Sequence, residues 1–375
     1  MEALILLGAL LLAFTNGAND NFKGVATLYG SATLSYRQAL TLGTLATALG
    51  GLASLALAGA LVHAFSAKGL VPDAALSQAF LTSVALAAAL TVLLATRLGL
   101  PVSTTHALVG GLAGAGWLAA GSELNLAALG GGFALPLLAG PMVATGLTLA
   151  GLKAGRRSSR WLGVTSKTCV CIGTEWVPVH TVGDLELALA TGSVGLHQGS
   201  QRTSVAIGEQ AECQQRYGGL VLGLSAQRIV TGAHLVSAGL VSFARGLNDT
   251  PKILGLVVGA SVLSPAAGVL VITAAMGLGG ALGARRVAGT LARKITPMTP
   301  GQGVVGNLAT SVLVIGASRL GFPVSTTHVS TGGIFGIGVD SGKLRWHAAS
   351  RILTAWLITL PLAATLGAGI LWYLR

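Results

Sequence analysis

The sequence predicts an all-α polytopic membrane protein built from two inverted-topology repeats with broken or re-entrant helices, joined by a small polar cytoplasmic insert. Three observations lead to this fold class. Of the 375 residues, 52% are hydrophobic and only 9% are charged, whereas soluble domains carry about 25% charged residues. Apolar runs long enough to span a bilayer recur along most of the chain. Two short polar motifs occur once in each half, in the same order.

Five apolar runs in each half are the predicted membrane elements. Any of them can be a re-entrant hairpin instead of a full crossing. Because the number per half is odd, the second half enters the membrane upside down relative to the first. The first half contains 3–14 continuing past a break to 22–34, then 38–62, 76–96, 101–120 and 128–151. The second contains 219–245 continuing past a break to 253–262, then 266–284, 303–318, 322–339 and 348–374.

The net charge of +12 is interpreted as a topology signal, because the basic residues lie mainly between apolar runs and such residues accumulate on the cytoplasmic side. We therefore expect a lipid bilayer and no nucleic acid as partner. A multi-pass protein of the cell (inner or plasma) membrane is predicted, with both termini outside and residues 153–217 in the cytoplasm. This orientation makes most basic positions cytoplasmic, with Lys68 and Arg319 as exceptions: Arg37, Arg97, Lys153, Arg156, Arg157, Arg160, Arg285, Arg286, Lys343 and Arg345.

Three domains are predicted: a first membrane repeat at 1–152, a polar insert at 153–217 and a second, inverted membrane repeat at 218–375. The insert segments SKTCVCIGTEWVPV and RTSVAIGEQAE favour a few short strands. The odd number of cysteines argues against a disulfide framework. No standard zinc spacing is formed by the insert's potential ligands, so we predict no metal and a structural or regulatory insert. Those residues are Cys169, Cys171, His180, His197 and Cys213.

The internal repeat consists of two motifs. Asn19-Asp20-x-x-Lys23 recurs as Asn248-Asp249-x-x-Lys252 with an offset of 229 residues. The segment PVSTTH at 101–106 recurs unchanged at 323–328 with an offset of 222. Inverted repeats with broken helices are typical of secondary transporters, whose site lies near the membrane midplane where the repeats meet.

The Asn-Asp pairs are the first candidate chemistry. An ionisable residue at membrane depth costs at least ~2.5 kcal/mol, and this cost is tolerated where the group meets an ion, a substrate or a partner charge. Gly17 and Gly246 favour unwinding, which exposes carbonyls that coordinate a cation. The alternative is helix capping with local ion pairs to the lysines. The candidates for cation coupling are Asn19, Asp20, Asn248 and Asp249.

The PVSTTH segments are predicted helix starts, because proline followed by Ser-Thr-Thr is a helix-initiating pattern. Such a start presents free backbone N–H groups and hydroxyls, which together form an anion site. One start from each half can close on a single tetrahedral oxyanion. The alternative is ordinary capping with interhelical hydrogen bonds. We expect His106 and His328 to fix the local fold instead of relaying protons.

These motifs carry a resemblance. NGANDNFKGVAT and GLNDTPKI, each followed by PVSTTH, resemble the paired signatures of the inorganic phosphate transporter (PiT) family, over nearly the whole chain except the polar middle. The resemblance implies a symporter that imports inorganic phosphate with Na⁺ or H⁺. A permease for another oxyanion such as sulfate and, from a different class, an anion channel or membrane receptor are the alternatives.

No nucleophile–base arrangement or nucleotide-binding loop stands out in the sequence. We therefore expect no enzyme, no catalytic residue and no cofactor beyond the coupling ion. The oligomeric state is open, with a homodimer as one arrangement.

The resemblance also assigns candidate residues for the substrate. The commoner family signature continues with small residues after Asn-Asp, whereas Asn21-Phe22-Lys23 and Thr250-Pro251-Lys252 follow here. The symmetric lysines suggest that they help neutralise the anion and reduce dependence on Na⁺. The predicted substrate-binding residues are Asn19, Asp20, Lys23, Ser103, Thr104, Thr105, Asn248, Asp249, Lys252, Ser325, Thr326 and Thr327.

Overall fold

The computed structural model describes residues 1–165, 167–177, 200–216 and 221–375. The chain is mostly helical, which confirms the predicted all-α membrane fold class. It divides into two compact units. One consists of Met1–Ala154 and Ala233–Arg375, and the other of Gly155–Gly232.

The part of the chain that precedes the β-strands contains seven described α-helices and three short helical turns. The 3₁₀ turns span Asp73–Ala75 and Gly121–Glu123, and a π-helical stretch spans Ala128–Ala134. Helix starts follow local capping rules: Ser35 and Gln38 form a reciprocal capping box at one of them. The helices are α1 (Glu2–Asp20), α2 (Ala26–Gly30), α3 (Tyr36–Leu57), α4 (Gly59–Phe65), α5 (Gln78–Arg97), α6 (Thr104–Ala120) and α7 (Leu135–Trp161).

The second half contains long helices in a corresponding order. Thr299 and Gln302 form a second capping box, followed by a proline at the first helical position. A π-helical stretch spans Thr290–Lys294. The helices are α9 (Ala226–Gly259), α10 (Pro265–Gly283), α11 (Arg285–Gly289), α12 (Pro300–Arg319), α13 (Thr326–Ser341) and α14 (Trp346–Leu374).

Eight helical segments within the described residues are long and apolar enough to cross a membrane. Leucines on the outer face of α3, such as Leu45 and Leu49, are about three-fifths exposed, as expected for a lipid-facing surface. The segments are Glu2–Asp20, Tyr36–Leu57, Gln78–Arg97, Ala128–Trp161, Ala226–Gly259, Pro265–Gly283, Pro300–Arg319 and Trp346–Leu374.

Helices α6 and α13 are shorter. They have 17 and 16 residues, which corresponds to roughly 24–26 Å at 1.5 Å per residue and falls below the ~30 Å hydrocarbon core. Each begins just after a PVS segment without regular helix structure. The PVSTTH motifs therefore mark helix starts, as the sequence predicts, and the helices that follow are short.

The break predicted at each Asn-Asp pair is present in the first half only. Helix α1 ends at Asp20, and a turn leads to the short helix α2. In the second half, α9 runs without interruption through Asn248, Asp249 and Pro251. The predicted unwinding near Gly246 is therefore wrong.

The physical reason is that the two glycines serve close helix packing. A Cβ atom at Gly17 would lie 1.9 Å from the carbonyl oxygen of Met276, and one at Gly246 would lie 2.0 Å from that of Thr47. Each glycine thus lets a helix of the other half approach backbone to backbone, a common use of small residues in membrane proteins.

Gly246→Ala is accordingly expected to destabilise the protein by about 1–3 kcal/mol, the usual cost of overpacking. The midpoint of thermal unfolding in detergent should fall. Gly239→Ala on the same helix is the matched control, since nothing lies within 4 Å of its added Cβ and alanine favours helix. Equal midpoints for the two variants would contradict this account of Gly246.

The smaller unit contains a three-stranded antiparallel sheet in the order β2-β1-β3. The strands are β1 (Thr168–Val177), β2 (Ser200–Glu209) and β3 (Val221–Ser225), and helix α8 (Gln210–Arg216) follows β2. The short strands expected in the insert are thus present. Within the described part of the apolar run predicted as a membrane element from 219, β3 comes first and α9 begins only at Ala226.

The cysteines correct one expectation. Cys171 and Cys213 form a disulfide, and Cys169 is free and buried beside them. An odd count leaves one thiol over but does not prevent a pair. Among the described residues no group of three or more potential metal ligands lies together. His180 and His197 lie outside the described residues.

Candidate functional site

Both repeated motifs meet in one buried polar cluster inside the larger unit. Five ionisable side chains belong to it, and none is more than 3% exposed. They are Asp20, Lys23, Arg245, Asp249 and Lys252. Three positive and two negative groups leave an excess of one formal positive charge in an environment that excludes water.

The helix starts are held by serine caps. The Ser103 hydroxyl accepts a hydrogen bond from the His106 backbone N–H at 3.0 Å, and the Ser325 hydroxyl accepts from the His328 N–H at 3.2 Å. The first N–H groups of α6 and α13 have no intrahelical carbonyl partner, so each helix start carries partial positive charge. Both serines therefore act as caps in this structure, and their contact with substrate stays a prediction.

Lys23 connects the two halves. Its ammonium Nζ donates to the Asp20 carboxylate and to the Val102 carbonyl, the latter at 2.9 Å. It also donates to the Thr327 hydroxyl, which belongs to the helix start of the other half. That hydroxyl in turn donates to the Val102 carbonyl at 2.7 Å.

Lys252 makes the corresponding contacts, with the roles of the two halves exchanged. Its Nζ donates to the Thr105 hydroxyl at 2.7 Å and to the Val324 carbonyl at 2.6 Å. The Asp249 carboxylate lies 3.7 Å from it. Each lysine therefore reaches a carboxylate and a carbonyl of its own half and a threonine of the other half.

The other threonines of the helix starts lie against the carboxylates. Thr104 donates to Asp20 Oδ2 and Thr326 donates to Asp249 Oδ2, each at 3.4 Å. The Asn16 amide donates to both carboxylates, at 3.2 and 3.3 Å. One carboxylate thus stands at each helix start, and a single amide links the two.

The structure does not bring Asn19 and Asn248 to the lysines. Asn19 donates to Thr96 at 2.9 Å and accepts from the Val102 N–H at 3.1 Å. Asn248 accepts from Ser318 at 3.2 Å and donates to its neighbour Asp249 at 2.9 Å. Asn248 also donates to the Val324 carbonyl at 3.2 Å, so both asparagines fasten the segments that precede the helix starts. A direct role in cation coordination stays a prediction.

The two histidines pack where the halves meet. The rings of His106 and His328 are 4.4 Å apart between centroids, and the His328 ring lies 3.7 Å from that of Trp356. The Trp356 indole N–H donates to the Pro101 carbonyl at 3.1 Å. These contacts are the kind expected of residues that hold the helix starts in place.

A family model matches nearly the whole chain. The family model of the phosphate transporter family matches residues 16–367, which include both copies of both motifs. The chain belongs to the phosphate transporter family.

Relatives of this family member cover nearly all of it. A protein of Mycobacterium tuberculosis named "probable low-affinity inorganic phosphate transporter" is 30% identical over 378 residues, which cover 97% of this chain and 75% of that protein. "Inorganic phosphate transporter 2-1, chloroplastic" of Arabidopsis thaliana is 28% identical over 98% of this chain and 71% of that protein.

A solved structure shares the fold. The structure titled "The sodium-dependent phosphate transporter" is 21% identical, covers 100% of this chain and 98% of its own, and has a TM-score of 0.75. Together with the eight candidate spans, these relatives identify a multi-pass membrane protein of the phosphate transporter family.

Arg245 is a central residue of this family member that sequence reasoning missed. Its guanidinium donates to Asn16 at 2.7 Å, to Asn21 at 2.9 Å and to Thr47 at 3.2 Å. Its Nε lies 3.7 Å from the Asp249 carboxylate. Arg245 thus supplies the third cation of the cluster and joins its two halves.

The internal repeat contains a signal for Arg245 and its partner Asn16, namely the sequence offset between the two halves. Asn16 and Arg245 are separated by the same 229 positions as the Asn-Asp pairs. Thr96 and Ser318, which contact the two motif asparagines, are separated by the same 222 positions as the PVSTTH segments. A search limited to identical residues misses both pairs, because the residue types differ between the halves.

Proposed function

We propose that this chain imports inorganic phosphate by symport with a cation, Na⁺ or H⁺, through a site at the interface of two inverted repeats. The observation that carries the proposal is the reciprocal contact of each lysine with the helix-start threonine of the opposite half. A site assembled in this way from both halves couples its occupancy to their relative position, as alternating access requires.

The groups present suit a tetrahedral oxyanion. Each helix start carries partial positive charge and free N–H groups, and the Thr105 hydroxyl at one start donates to the Val324 carbonyl at the other at 3.3 Å. Lys23 and Lys252 bring charge to the hydroxyls of Thr327 and Thr105. When phosphate binds, its oxygens replace those hydroxyls as acceptors for the ammonium groups, and the hydroxyls become donors to phosphate.

Phosphate is favoured over sulfate by the carboxylates. Hydrogen phosphate carries an O–H donor at neutral pH, whereas sulfate has none. Asp20 and Asp249 each place a carboxylate oxygen beside a helix-start threonine. A carboxylate there accepts from the phosphate O–H and repels a fully deprotonated oxyanion.

Coupling to a cation follows from the energetics of import. Moving a divalent anion inward against about 100 mV costs roughly 4.6 kcal/mol, because each charge contributes ~2.3 kcal/mol. A passive pore would let phosphate leak outward. Na⁺ is one candidate because the solved relative's title names a sodium-dependent transporter, and H⁺ is the other.

The arrangement in the membrane is part of the same proposal. Both termini lie outside the cell, and the polar insert lies in the cytoplasm. This orientation places most basic residues between the apolar runs on the cytoplasmic side, where such residues accumulate. The protein resides in the cell (inner or plasma) membrane. A homodimer stays a prediction.

Uptake of labelled phosphate into proteoliposomes tests the function, with an inward Na⁺ gradient or an inward H⁺ gradient imposed separately. We expect accumulation above the equilibrium level with one of the gradients and little competition by excess sulfate. Absence of accumulation with both gradients would refute symport. Loss of phosphate uptake to sulfate would favour the alternative oxyanion permease.

A further inference from the structure

We propose that Lys23 and Lys252 are built-in replacements for two mobile cations, so that this chain binds no Na⁺ at its Asn-Asp positions and transports phosphate independently of Na⁺. Only the uptake measurement in its test rests on the proposed function. Of the two cations allowed above, it leaves H⁺ as the coupling ion.

The first observation is that each ammonium group sits in a small cage of oxygen atoms. The first cage consists of Asp20 Oδ1, the Val102 carbonyl oxygen and Thr327 Oγ1, all around Lys23 Nζ. An ammonium group has three N–H donors, and the first cage offers three acceptors.

The second cage has the same chemical composition. It consists of Asp249 Oδ1, the Val324 carbonyl oxygen and Thr105 Oγ1, at 3.7, 2.6 and 2.7 Å from Lys252 Nζ. One carboxylate, one backbone carbonyl and one hydroxyl are oxygen ligands of the type that hard cations take. Carbonyls beside interrupted helices are typical coordinating groups for a transported ion.

The ammonium groups occupy the positions that a mobile cation would take among these oxygens. Both lysine side chains are nearly fully buried. The second oxygen of each carboxylate accepts from Asn16 and from a helix-start threonine: Thr104 for Asp20 and Thr326 for Asp249. A Na⁺ ion entering either cage would have to displace an ammonium group that cannot leave the protein.

Removing either lysine side chain is therefore expected to open a cation site. In Lys23→Ala the first cage keeps its three oxygens and loses its positive charge, and Lys252→Ala does the same for the second. Lys23→Met removes the charge but keeps the volume filled, so it should not admit Na⁺. Lys153→Ala, at an exposed position, is the control for loss of a lysine as such.

The experiment measures phosphate uptake and thermal unfolding of the full chain in NaCl and in choline chloride at matched ionic strength. For the wild type and for Lys153→Ala, we expect equal uptake and equal unfolding midpoints in the two salts. For Lys23→Met, which lacks an ammonium group that the proposed function assigns to phosphate, we expect equal unfolding midpoints. For the alanine variants, we expect the unfolding midpoint to rise saturably with Na⁺. Phosphate uptake by the alanine variants should be about fivefold or more higher in NaCl than in choline chloride. This ratio is at the lower end of typical couplings between sites.

The result that would overturn the inference is available from the wild type alone. Na⁺-driven accumulation, or a saturable stabilisation of the wild type by Na⁺, would show that the lysines do not exclude it. Alanine variants that fold but gain no Na⁺ stabilisation would also overturn it. Failure of the proposed function has a different signature, because the wild type would then accumulate no phosphate with either gradient.

Discussion

Asp20→Asn is expected to destabilise the protein by about 3–5 kcal/mol, because it leaves the buried Lys23 ammonium without its carboxylate. Replacing both members, in Asp20→Asn with Lys23→Met, removes the unpaired charge together with its partner. The double variant should therefore be more stable than the single one, a strongly non-additive result. Thermal unfolding midpoints of the purified proteins in detergent measure the cycle.

Asp73→Asn provides the control for this cycle, since Asp73 is exposed and surface substitutions usually change stability by no more than about 0.5 kcal/mol. If the effects of Asp20→Asn and Lys23→Met simply add, the two side chains do not function as a buried pair. We expect both the single and the double variant to lose phosphate uptake.

Thr105→Val with Thr327→Val is expected to weaken phosphate binding strongly while retaining side-chain volume. Each substitution removes one hydroxyl at a helix start and one acceptor of a lysine ammonium. A hydrogen bond to a charged group contributes about 1.5–3 kcal/mol, so each loss should weaken binding by roughly 10- to 100-fold at 1.4 kcal/mol per tenfold. Equilibrium binding of labelled phosphate to the purified protein measures the change.

The matched control is Thr365→Val, because Thr365 is an exposed helical threonine whose hydroxyl bonds only within its own helix at 2.9 Å. Its phosphate affinity should equal that of the wild type. Wild-type affinity in the Thr105 and Thr327 double variant would mean that phosphate binds elsewhere.

The helix starts could be predicted from the sequence because capping is local. Ser103 and Ser325 cap α6 and α13 within three residues of their own position, so the PVSTTH pattern alone determines where each helix begins. The short strands of the insert were predictable for the same reason, from β-branched residues within β1 and β2.

The crossed contacts could not be predicted, because they depend on how two distant segments pack. The repeat shows that Lys23 and Lys252 are equivalent, but it does not say that each reaches a threonine of the other half. The role of the glycines likewise depends on packing and could not be predicted from the sequence. Gly246 is compatible both with unwinding and with close packing, and only the neighbouring Thr47 carbonyl decides between them.

The location of bound arsenate, a heavier analogue of phosphate, tests the central claim most directly. In a crystal of the full chain grown with arsenate, the anomalous signal of arsenic marks the oxyanion site. We expect one peak between the starts of α6 and α13, with arsenate oxygens at hydrogen-bond distance, roughly 2.7–3.2 Å, from Thr105, Thr327 and the lysine ammonium groups. A peak elsewhere with none between these helix starts would contradict the site proposed for phosphate.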